Sequence, residues 1–325
     1  MLAVDPDRPD RRALAEAAAV IRAGGLVAFA TETVYGLGAD ATREDAVRRI
    51  FAAKGRPASN PLIVHVADVD MARGLAARWP AAAQRLAEAA WPGPVTLVVP
   101  KVERIPAIVT AGLDTVGLRV PAPAVARRLI EEAGVPLAAP SANRSEHVSP
   151  TRAEHVVADL GGRIELVLDS GPTAVGIEST VVDLCGDEPR VLRPGPLTRQ
   201  RLAALLQVAV GEGATAHGPA RSPGQHGRHY APRVPALRVE SLQALARLRP
   251  EAGDVVLVVG READLPAIEG PVVRLPDPET AAQRLYAVLR DCDERGARRL
   301  LVLMPPDEGA WAAIRDRLCR ATTAG

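Results

Sequence analysis

The sequence is poor in aromatic residues, lysine and cysteine. Aromatics are 2% of its 325 residues, so each core must be built from close-packed Ala, Val and Leu, within a hydrophobic share of 47%. Only Lys54 and Lys101 occur as lysines, so arginine carries the ordinary surface charge and a lysine in a motif is informative. The three scattered cysteines form no Cys-x-x-Cys pair, which argues against a structural zinc site and a disulfide framework.

Long apolar runs and a strong net charge are also missing. No stretch reaches about 18 apolar residues, and charged residues precede the first apolar run, so neither a membrane span nor a signal peptide is predicted. The scattered cysteines fit a reducing cytoplasm, which is the expected location. The net charge of +1 argues against an extended nucleic-acid-binding surface but leaves room for a local basic cavity. The length predicts about two domains.

Hydroxyls and glycines follow the first predicted strand. A helix over 11–23 ends at a Gly-Gly pair, and a buried strand over 26–30 follows it. The stretch 31–38 then begins at the carboxyl end of that strand, the edge where ligands bind in open α/β sheets. Thr33 and Tyr35 are therefore candidates to line a site, and the alternative is a turn that caps the next helix at Thr42.

The segment 54–65 reads Lys-Gly-Arg-Pro-Ala-Ser-Asn-Pro-Leu-Ile-Val-His. Its glycine and prolines forbid a continuous helix, so the pattern predicts a turn followed by a strand from Leu62. Lys54 and Arg56, two apart on a non-helical backbone, can face one anion, with the arginine as a fork suited to phosphate. The alternatives are an anion site and a basic surface turn. His65 is on the following strand, and a lone histidine in a strand is more often structural than functional.

Polar side chains also mark later strand ends. Arg119 lies in an otherwise apolar strand and needs an anionic partner, because a buried unpaired charge costs several kcal/mol. That partner is either a carboxylate of the protein or one of a ligand. Ser141 and Asn143 end a short strand over 135–139, and a hydroxyl pair that includes Thr180 precedes a buried strand.

The composition changes over 211–235, which holds five Gly, four Pro, three Arg and three His against a single Glu. Segments of this kind are lids or disordered linkers. After residue 236, strands alternate with helices, which predicts a small parallel α/β domain. The sequence therefore predicts a first domain over 1–210, a linker over 211–235 and a C-terminal domain over 236–325.

Taken in order, the motifs resemble the threonylcarbamoyl-AMP synthase family in its two-domain form. The motifs are Thr31-Glu-Thr-Val-Tyr-Gly-Leu37, Lys54-Gly-Arg-Pro57, Ser59-Asn-Pro-Leu62, Trp91-Pro-Gly-Pro94, Gly117-Leu-Arg-Val-Pro121, Pro140-Ser-Ala-Asn143, Gly176-Ile-Glu-Ser-Thr180, Arg193-Pro-Gly195 and Arg228-His-Tyr-Ala-Pro232. The resemblance implies an α/β fold: a YrdC-like twisted open mixed sheet with helices, plus a small C-terminal Rossmann-like parallel α/β domain. It also implies that residues 1–210 are the catalytic domain and that the linker over 211–235 is an active-site lid.

The resemblance also implies a reaction. L-threonine, bicarbonate (or CO2) and ATP give threonylcarbamoyl-adenylate and pyrophosphate, and downstream transferase machinery uses the product to modify an adenosine beside the tRNA anticodon. Mg2+ is expected to accompany ATP, with phosphate oxygens and water as most of its ligands and no protein metal site. Binding of tRNA itself is expected to be weak or indirect.

Site residues follow from the matched motif positions. The residues expected to hold L-threonine are Thr33, His65, Arg119 and Thr180, with Arg119 on the carboxylate. The residues expected around ATP are Lys54, Arg56, Asn60, Thr115, Ser141, Asn143, Ser149, Arg193 and Tyr230, of which Lys54 and Arg56 are the catalytic cations and Tyr230 covers the nucleotide.

Two departures from the family pattern stand out. Glu146 occupies a position where the family usually has glycine, and Gln225-His226-Gly227 replaces a more usual apolar and basic run. Three other interpretations compete. One is an RNA-binding module, another is a hydrogenase-maturation carbamoyltransferase, whose zinc-binding cysteine pairs and acylphosphatase-like segment this chain lacks, and the last makes the C-terminal domain a partner-docking module.

Overall fold

A computed structural model of the chain describes residues 1–213, 229–260, 265 and 268–325. They form two compact units. The first comprises Met1–Ser145, Pro150–Ala174 and the described residues from 178 to 213, and the second comprises Glu146–Ser149, Val175–Ile177 and the described residues from 229 onward. The predicted domain ranges stay a prediction. The linker departure at 225–227 and the start of the motif at residue 228 lie outside the described residues.

The first unit combines strands and helices. Its strands are β1 (Leu2–Ala3), β2 (Val27–Ala30), β3 (Tyr35–Asp40), β4 (Ile63–His65), β5 (Val95–Pro100), β6 (Thr115–Arg119), β7 (Leu137–Ala138), β8 (Leu166–Asp169), β9 (Thr180–Asp183), β10 (Arg190–Arg193) and β11 (Gly211–Glu212). Its helices are α1 (Arg11–Arg22), α2 (Glu44–Lys54), α3 (Val69–Leu75), α4 (Ala81–Ala90), α5 (Ala124–Ala133), α6 (Ala153–Leu160) and α7 (Arg199–Leu206).

The strands of the first unit form one mixed sheet. Their order is β1-β8-β2-β3-β7-β4-β6-β5-β9-β10-β11. The sheet contains both parallel pairs, such as β4 with β6, and antiparallel pairs, such as β2 with β3, which confirms the mixed sheet that the resemblance implied. Because β3 turns back along β2, the stretch 31–34 is the tip of a hairpin.

Helices cover both faces of this sheet. Successive residues of a strand point to opposite faces, and here Ala28 packs in one apolar cluster with residues of α2, α3, α4 and α7, while Phe29 packs in another with residues of α1 and α5. Both clusters consist mainly of Ala, Val, Leu and Ile. The scarcity of aromatic residues is therefore met by close packing of small aliphatic side chains.

Helix termini agree with the sequence in some places and differ in others. Asp68, a typical N-cap residue, caps α3 by accepting a hydrogen bond from the backbone N–H of Met71. The cap predicted at Thr42 is wrong, because its hydroxyl donates to Asp40 Oδ1 and α2 begins without a side-chain cap. The Ala-rich stretch 70–90 forms two helices, α3 and α4, with residues 76–80 between them.

The backbone at Lys54 also differs from its prediction. Lys54 is the last residue of α2, and the helix ends at Gly55, which adopts the left-handed conformation with φ 63°. Gly55 therefore terminates the helix after the lysine, in the usual role of a glycine at a helix C-terminus. Lys54 and Arg56 do not share a non-helical backbone.

The second unit is a small parallel α/β structure, as predicted. Its strands are β12 (Ala236–Val239), β13 (Asp254–Val259), β14 (Val272–Leu275), β15 (Arg299–Leu303) and β16 (Thr323–Ala324), and its helices are α8 (Leu242–Arg247), α9 (Pro278–Glu294) and α10 (Ala312–Ala321). The strand order is β14-β13-β15-β12-β16, with every pair parallel. Sequence reasoning missed β12 and β16. Within the described part of the chain, no helix is both long and apolar enough to cross a membrane.

Candidate active site

The carboxyl ends of β4 and β6 meet in the first unit. These neighbouring strands are parallel, and their last residues, His65 and Arg119, are register partners. Both side chains are buried. Two residues predicted to hold one ligand are thus side by side at the edge of an α/β sheet where ligands bind.

Arg119 is held by contacts at all three guanidinium nitrogens. Its Nε donates to Gly93 O at 3.3 Å, and its Nη1 donates to Thr33 Oγ1 at 2.9 Å. Its Nη2 lies 2.8 Å from Glu32 Oε1 in an ion pair whose side chains are 4% and 9% exposed. The partner that the strand arginine requires is therefore present in the protein, as Glu32. Glu32 belongs to one of the sequence motifs, but its role as the partner of Arg119 is missed by sequence reasoning.

Thr33 is fixed by its neighbour in the hairpin tip. The Thr31 hydroxyl donates to Val34 O, so the 2.8 Å contact between the two threonine hydroxyls is donated by Thr33. Thr33 Oγ1 in turn accepts from Arg119. Tyr35, the other candidate from this stretch, is fully buried and donates from its hydroxyl to Gly171 O at 2.7 Å. Tyr35 is therefore a packing residue.

His65 is a neutral imidazole. Burial, and after it the positive charge of Arg119, lower the pKa of His65 to about 3. Its ring meets Phe29 edge to face, with centroids 6.3 Å apart, and its Nδ1 is buried without a hydrogen-bond partner in the protein. A buried polar atom left without a partner costs about 1–3 kcal/mol, so this nitrogen is suited to a ligand group.

Three further polar atoms of the site motifs are buried without an aligned hydrogen bond. Glu32 Oε1, Arg119 Nη2 and Asn60 Oδ1 are buried, and none has an aligned hydrogen-bond partner in the protein. Native structures rarely leave such atoms unsatisfied, and each exception calls for an explanation. A polar ligand beside Glu32 and Arg119 would supply the partners that their two atoms lack.

The two predicted catalytic cations are buried and bind backbone carbonyls. Lys54 Nζ donates to Ser141 O at 2.6 Å and to Asn143 O at 2.5 Å. Arg56 donates to Asn60 O at 3.3 Å and to the neighbouring Pro61 O at 3.1 Å. The interpretation as an exposed basic turn is therefore wrong, and these cations fix the loops that carry Asn60, Ser141 and Asn143.

Burial makes the charge of Lys54 costly. Burial first, and then the nearby positive charge of Arg56, lower the pKa of the Lys54 ammonium well below its ordinary value. Two positive charges close together in a buried region favour the binding of an anion beside them. The predicted triphosphate site therefore fits the electrostatics of this part of the first unit.

Arg193 and Thr180 meet at the start of β9. Arg193 donates through Nε and Nη2 to Ser179 O, at 3.1 and 3.0 Å. The Thr180 hydroxyl donates to Leu197 O and accepts from the Leu197 N–H, both at 2.9 Å. A Cβ atom on Gly195 would lie 2.3 Å from the Thr180 nitrogen, so the Arg-Pro-Gly turn requires glycine to pack on this strand.

The residues predicted for ATP also include Thr115, Ser149 and Tyr230. Thr115 begins β6, about 13 Å along the strand from Arg119. Ser149 and Tyr230 belong to the second unit and are buried. There Tyr230 stacks on Tyr286 with ring centroids 5.6 Å apart. Their assignment to the nucleotide stays a prediction.

A metal site does not emerge from the described residues, among which no group of three or more His, Cys, Asp or Glu is placed to hold a metal ion. Binding of Mg2+ through the phosphate oxygens of ATP and water stays a prediction.

Family models match most of the chain. The Sua5/YciO/YrdC model, described as telomere recombination, matches residues 19–195. A model described as the threonylcarbamoyl-AMP synthase C-terminal domain matches residues 197–323. Together they cover both units.

Individual proteins agree with the models. The threonylcarbamoyl-AMP synthase of Pyrococcus abyssi is 42% identical over 94% of this chain and 93% of its own length. That of Bacillus subtilis is 42% identical over 95% of this chain and 92% of its own length. The crystal structure of P. abyssi Sua5 complexed with L-threonine is 37% identical, covers 100% of both chains and superposes with a TM-score of 0.87. The chain therefore belongs to the threonylcarbamoyl-AMP synthase family, in its two-domain Sua5 form.

Proposed function

We propose that this protein synthesises L-threonylcarbamoyladenylate from L-threonine, bicarbonate or CO2, and ATP, with release of pyrophosphate. The observation that carries the proposal is the buried group at the ends of β4 and β6, where Arg119, His65 and Glu32 hold polar atoms without aligned partners. That a family member has been crystallised with L-threonine supports the same ligand here.

The amino-acid part of the site follows from Arg119. Its guanidinium has five N–H donors in a planar fork that suits a carboxylate. Contacts at Gly93 and Thr33 use two of them, so others remain for the carboxylate of L-threonine. The neutral His65 presents Nδ1 to a polar group of the same ligand.

The chemistry needs no protein nucleophile. The threonine ammonium and bicarbonate give a carbamate, water and a released proton, and a carbamate oxygen then attacks the α-phosphorus of ATP while the bond to pyrophosphate breaks. The protein supplies positioning and fixed positive charge. Lys54 and Arg56 supply that charge, and because burial and the neighbouring Arg56 lower the pKa of the Lys54 ammonium, a triphosphate beside it would favour its charged form.

The role of the product follows from its class. A mixed anhydride of a carbamate and AMP is an activated acyl donor, so a transferase must consume it. We place that transferase in tRNA modification beside the anticodon, in the cytoplasm, as the family resemblance implies. Such an anhydride is readily hydrolysed, so closure of the site against water is expected.

The test is product formation by the full-length protein. ATP, Mg2+ and bicarbonate are incubated with and without L-threonine, and pyrophosphate release is followed beside mass detection of threonylcarbamoyl-adenylate. We expect product only with threonine. Pyrophosphate release with carbamoyl phosphate in place of threonine would favour the carbamoyltransferase instead, and no turnover with either substrate would refute the proposal.

The two lysines of the chain provide a matched pair of variants. Lys54→Met is expected to lower the rate about 100-fold, the usual loss when a preorganised positive or donor group is removed from a reacting oxyanion. Lys101→Met is the control, because Lys101 Nζ donates to Ile105 O at 3.0 Å in a different part of the first unit. Equal rates for the two variants would contradict the role given to Lys54.

A further inference from the structure

The contact between Glu32 and Arg119 is close without being a hydrogen bond. The two charged atoms are 2.8 Å apart, yet neither Glu32 Oε1 nor Arg119 Nη2 has an aligned hydrogen-bond partner in the protein. The two groups therefore attract each other through their charges, but the N–H groups of Nη2 do not point at Glu32 Oε1. They remain available to donate to a third group.

Glu32 itself is held in place. Its second carboxylate oxygen, Oε2, accepts the backbone N–H of Ala122 at 3.1 Å, just after β6 ends at Arg119. The carboxylate thus links the hairpin tip before β3 to the loop after β6. It cannot rotate toward better alignment with Arg119 without breaking this bond.

Arg119 is charged whether or not an amino acid is present, since guanidinium is always protonated in proteins. A buried arginine without a counter-charge would cost several kcal/mol. Glu32 provides that counter-charge, while Thr33 and Gly93 set the tilt of the guanidinium. The result is a preorganised cation that a ligand carboxylate meets without reorganisation.

We infer that Glu32 is a positioning residue for amino-acid binding, acting through Arg119 by holding the guanidinium in the orientation that receives the carboxylate of threonine. This inference rests on the proposed function, because it concerns the same site. It assigns Glu32 no contact with the substrate.

Two other roles for Glu32 make different predictions. If the Glu32 carboxylate competes with the threonine carboxylate for Arg119, removal of its charge tightens threonine binding. If Glu32 serves folding alone, removal of its charge lowers stability and leaves threonine affinity unchanged. The sign of the change in threonine affinity separates the three roles.

The experiment compares Glu32→Gln, Glu32→Asp and Asp254→Asn with the wild type in the full chain. Glu32→Gln keeps the shape of the side chain and an acceptor for Ala122 but removes the charge. Glu32→Asp keeps the charge at a longer distance. Asp254→Asn is the matched control, because Asp254 is a fully buried carboxylate paired with two arginines in the second unit.

For Glu32→Gln we expect the KM for L-threonine to rise about 10-fold, because Arg119 is no longer held in line for its charged hydrogen bond to the threonine carboxylate. The KM for ATP should change less than about 2-fold, because Glu32 acts on the amino-acid part of the site. Glu32→Asp should fall between the wild type and Glu32→Gln. Asp254→Asn should lower the thermal midpoint without changing either KM.

An unchanged or lower KM for threonine in Glu32→Gln would overturn the inference, as would equal rises in both KM values. Calorimetric titration with L-threonine gives the same comparison as dissociation constants, independent of turnover. If the wild type turns over threonine but Glu32→Gln keeps its affinity, the inference fails and the proposed function stands. If the wild type neither binds nor uses threonine, both fail.

Discussion

The two units each contain a buried carboxylate against arginine, and the two contacts differ in how completely they are satisfied. Asp254, in the second unit, accepts from Arg298 at 2.9 and 3.0 Å, from Arg299 at 3.1 and 2.6 Å, and from the Glu251 N–H at 3.0 Å. Glu32, in the first unit, accepts one aligned hydrogen bond and meets Arg119 out of alignment.

The difference separates a structural contact from a binding site. Although burial raises the pKa of Asp254, hydrogen bonds from Arg299 and Arg298 hold that pKa well below its ordinary value, so the carboxylate is fully used within the fold. Arg119 Nη2, by contrast, is buried and makes no aligned hydrogen bond within the protein. Its N–H groups gain a hydrogen bond only when a ligand binds. Incomplete hydrogen bonding, rather than burial or charge alone, therefore distinguishes the proposed active site from the structural contact.

The largest expected effect comes from exchanging the arginine in each contact. Arg119→Lys keeps a positive charge beside Glu32 but loses the fork, so kcat/KM for threonine should fall about 100-fold, or about 2.7 kcal/mol. Arg299→Lys should leave kcat/KM unchanged. Steady-state kinetics on the two variants checks this, and similar values for both would remove the distinction between the contacts.

Removing the structural carboxylate should affect stability. Asp254→Asn leaves two partly exposed arginines without their counter-charge and should lower the free energy of unfolding of the second unit by about 2 kcal/mol. Because the pKa of Asp254 is depressed in the folded state, its contribution is present above the unfolded value of about 3.9 and lost as pH falls below it. Denaturant unfolding at pH 7 and pH 3 should show a smaller difference between variant and wild type at pH 3. An equal difference at both pH values would contradict this.

His65 should make the first unit sensitive to acid. Its pKa is lowered to about 3 by burial and by Arg119, so between its ordinary value of about 6.5 and 3 the unfolded chain binds a proton that the folded chain does not. Stability should therefore fall with falling pH by up to about 1.4 kcal/mol per pH unit from this group. His65→Gln should flatten that slope in unfolding measurements across the range. Parallel slopes would show that the imidazole is not held neutral.

The smallest effect concerns the departure at Glu146. This residue has φ 70°, a left-handed conformation that costs a non-glycine residue about 1 kcal/mol. Glu146→Gly should raise stability by about 0.5 kcal/mol after the added flexibility of the unfolded chain is counted. Thermal unfolding measures this, with the exposed Glu44→Gly as a control that should destabilise α2. A loss of stability in Glu146→Gly would show that the side chain outweighs the strain.

Sequence reasoning predicted the alternation of strands and helices in both units because hydrophobic periodicity and Gly or Pro boundaries are local signals. It also placed His65 and Arg119 on strands, although their side-by-side register came only with the structure. The prediction for Lys54 was wrong because a glycine next to a residue can also mark the end of a helix. Gly55 terminates α2 directly after Lys54.

Glu32 was missed for a different reason. A glutamate between two threonines at a strand end looks like an exposed turn residue, and nothing nearby in the chain shows that it faces Arg119. The usable signal was the arginine itself, since a charge within an apolar strand implies a counter-charge. The acidic residue in the neighbouring motif was the natural candidate for it.

Calorimetric binding of L-threonine and L-threoninamide tests whether Arg119 receives the carboxylate of threonine. The amide lacks the carboxylate charge, so the wild type should bind L-threonine about 100-fold more tightly than the amide, a difference of about 2.7 kcal/mol. In the double variant Glu32→Gln/Arg119→Met, which removes both buried charges together, the ratio should fall to about one. Equal binding of the two ligands by the wild type would contradict the account.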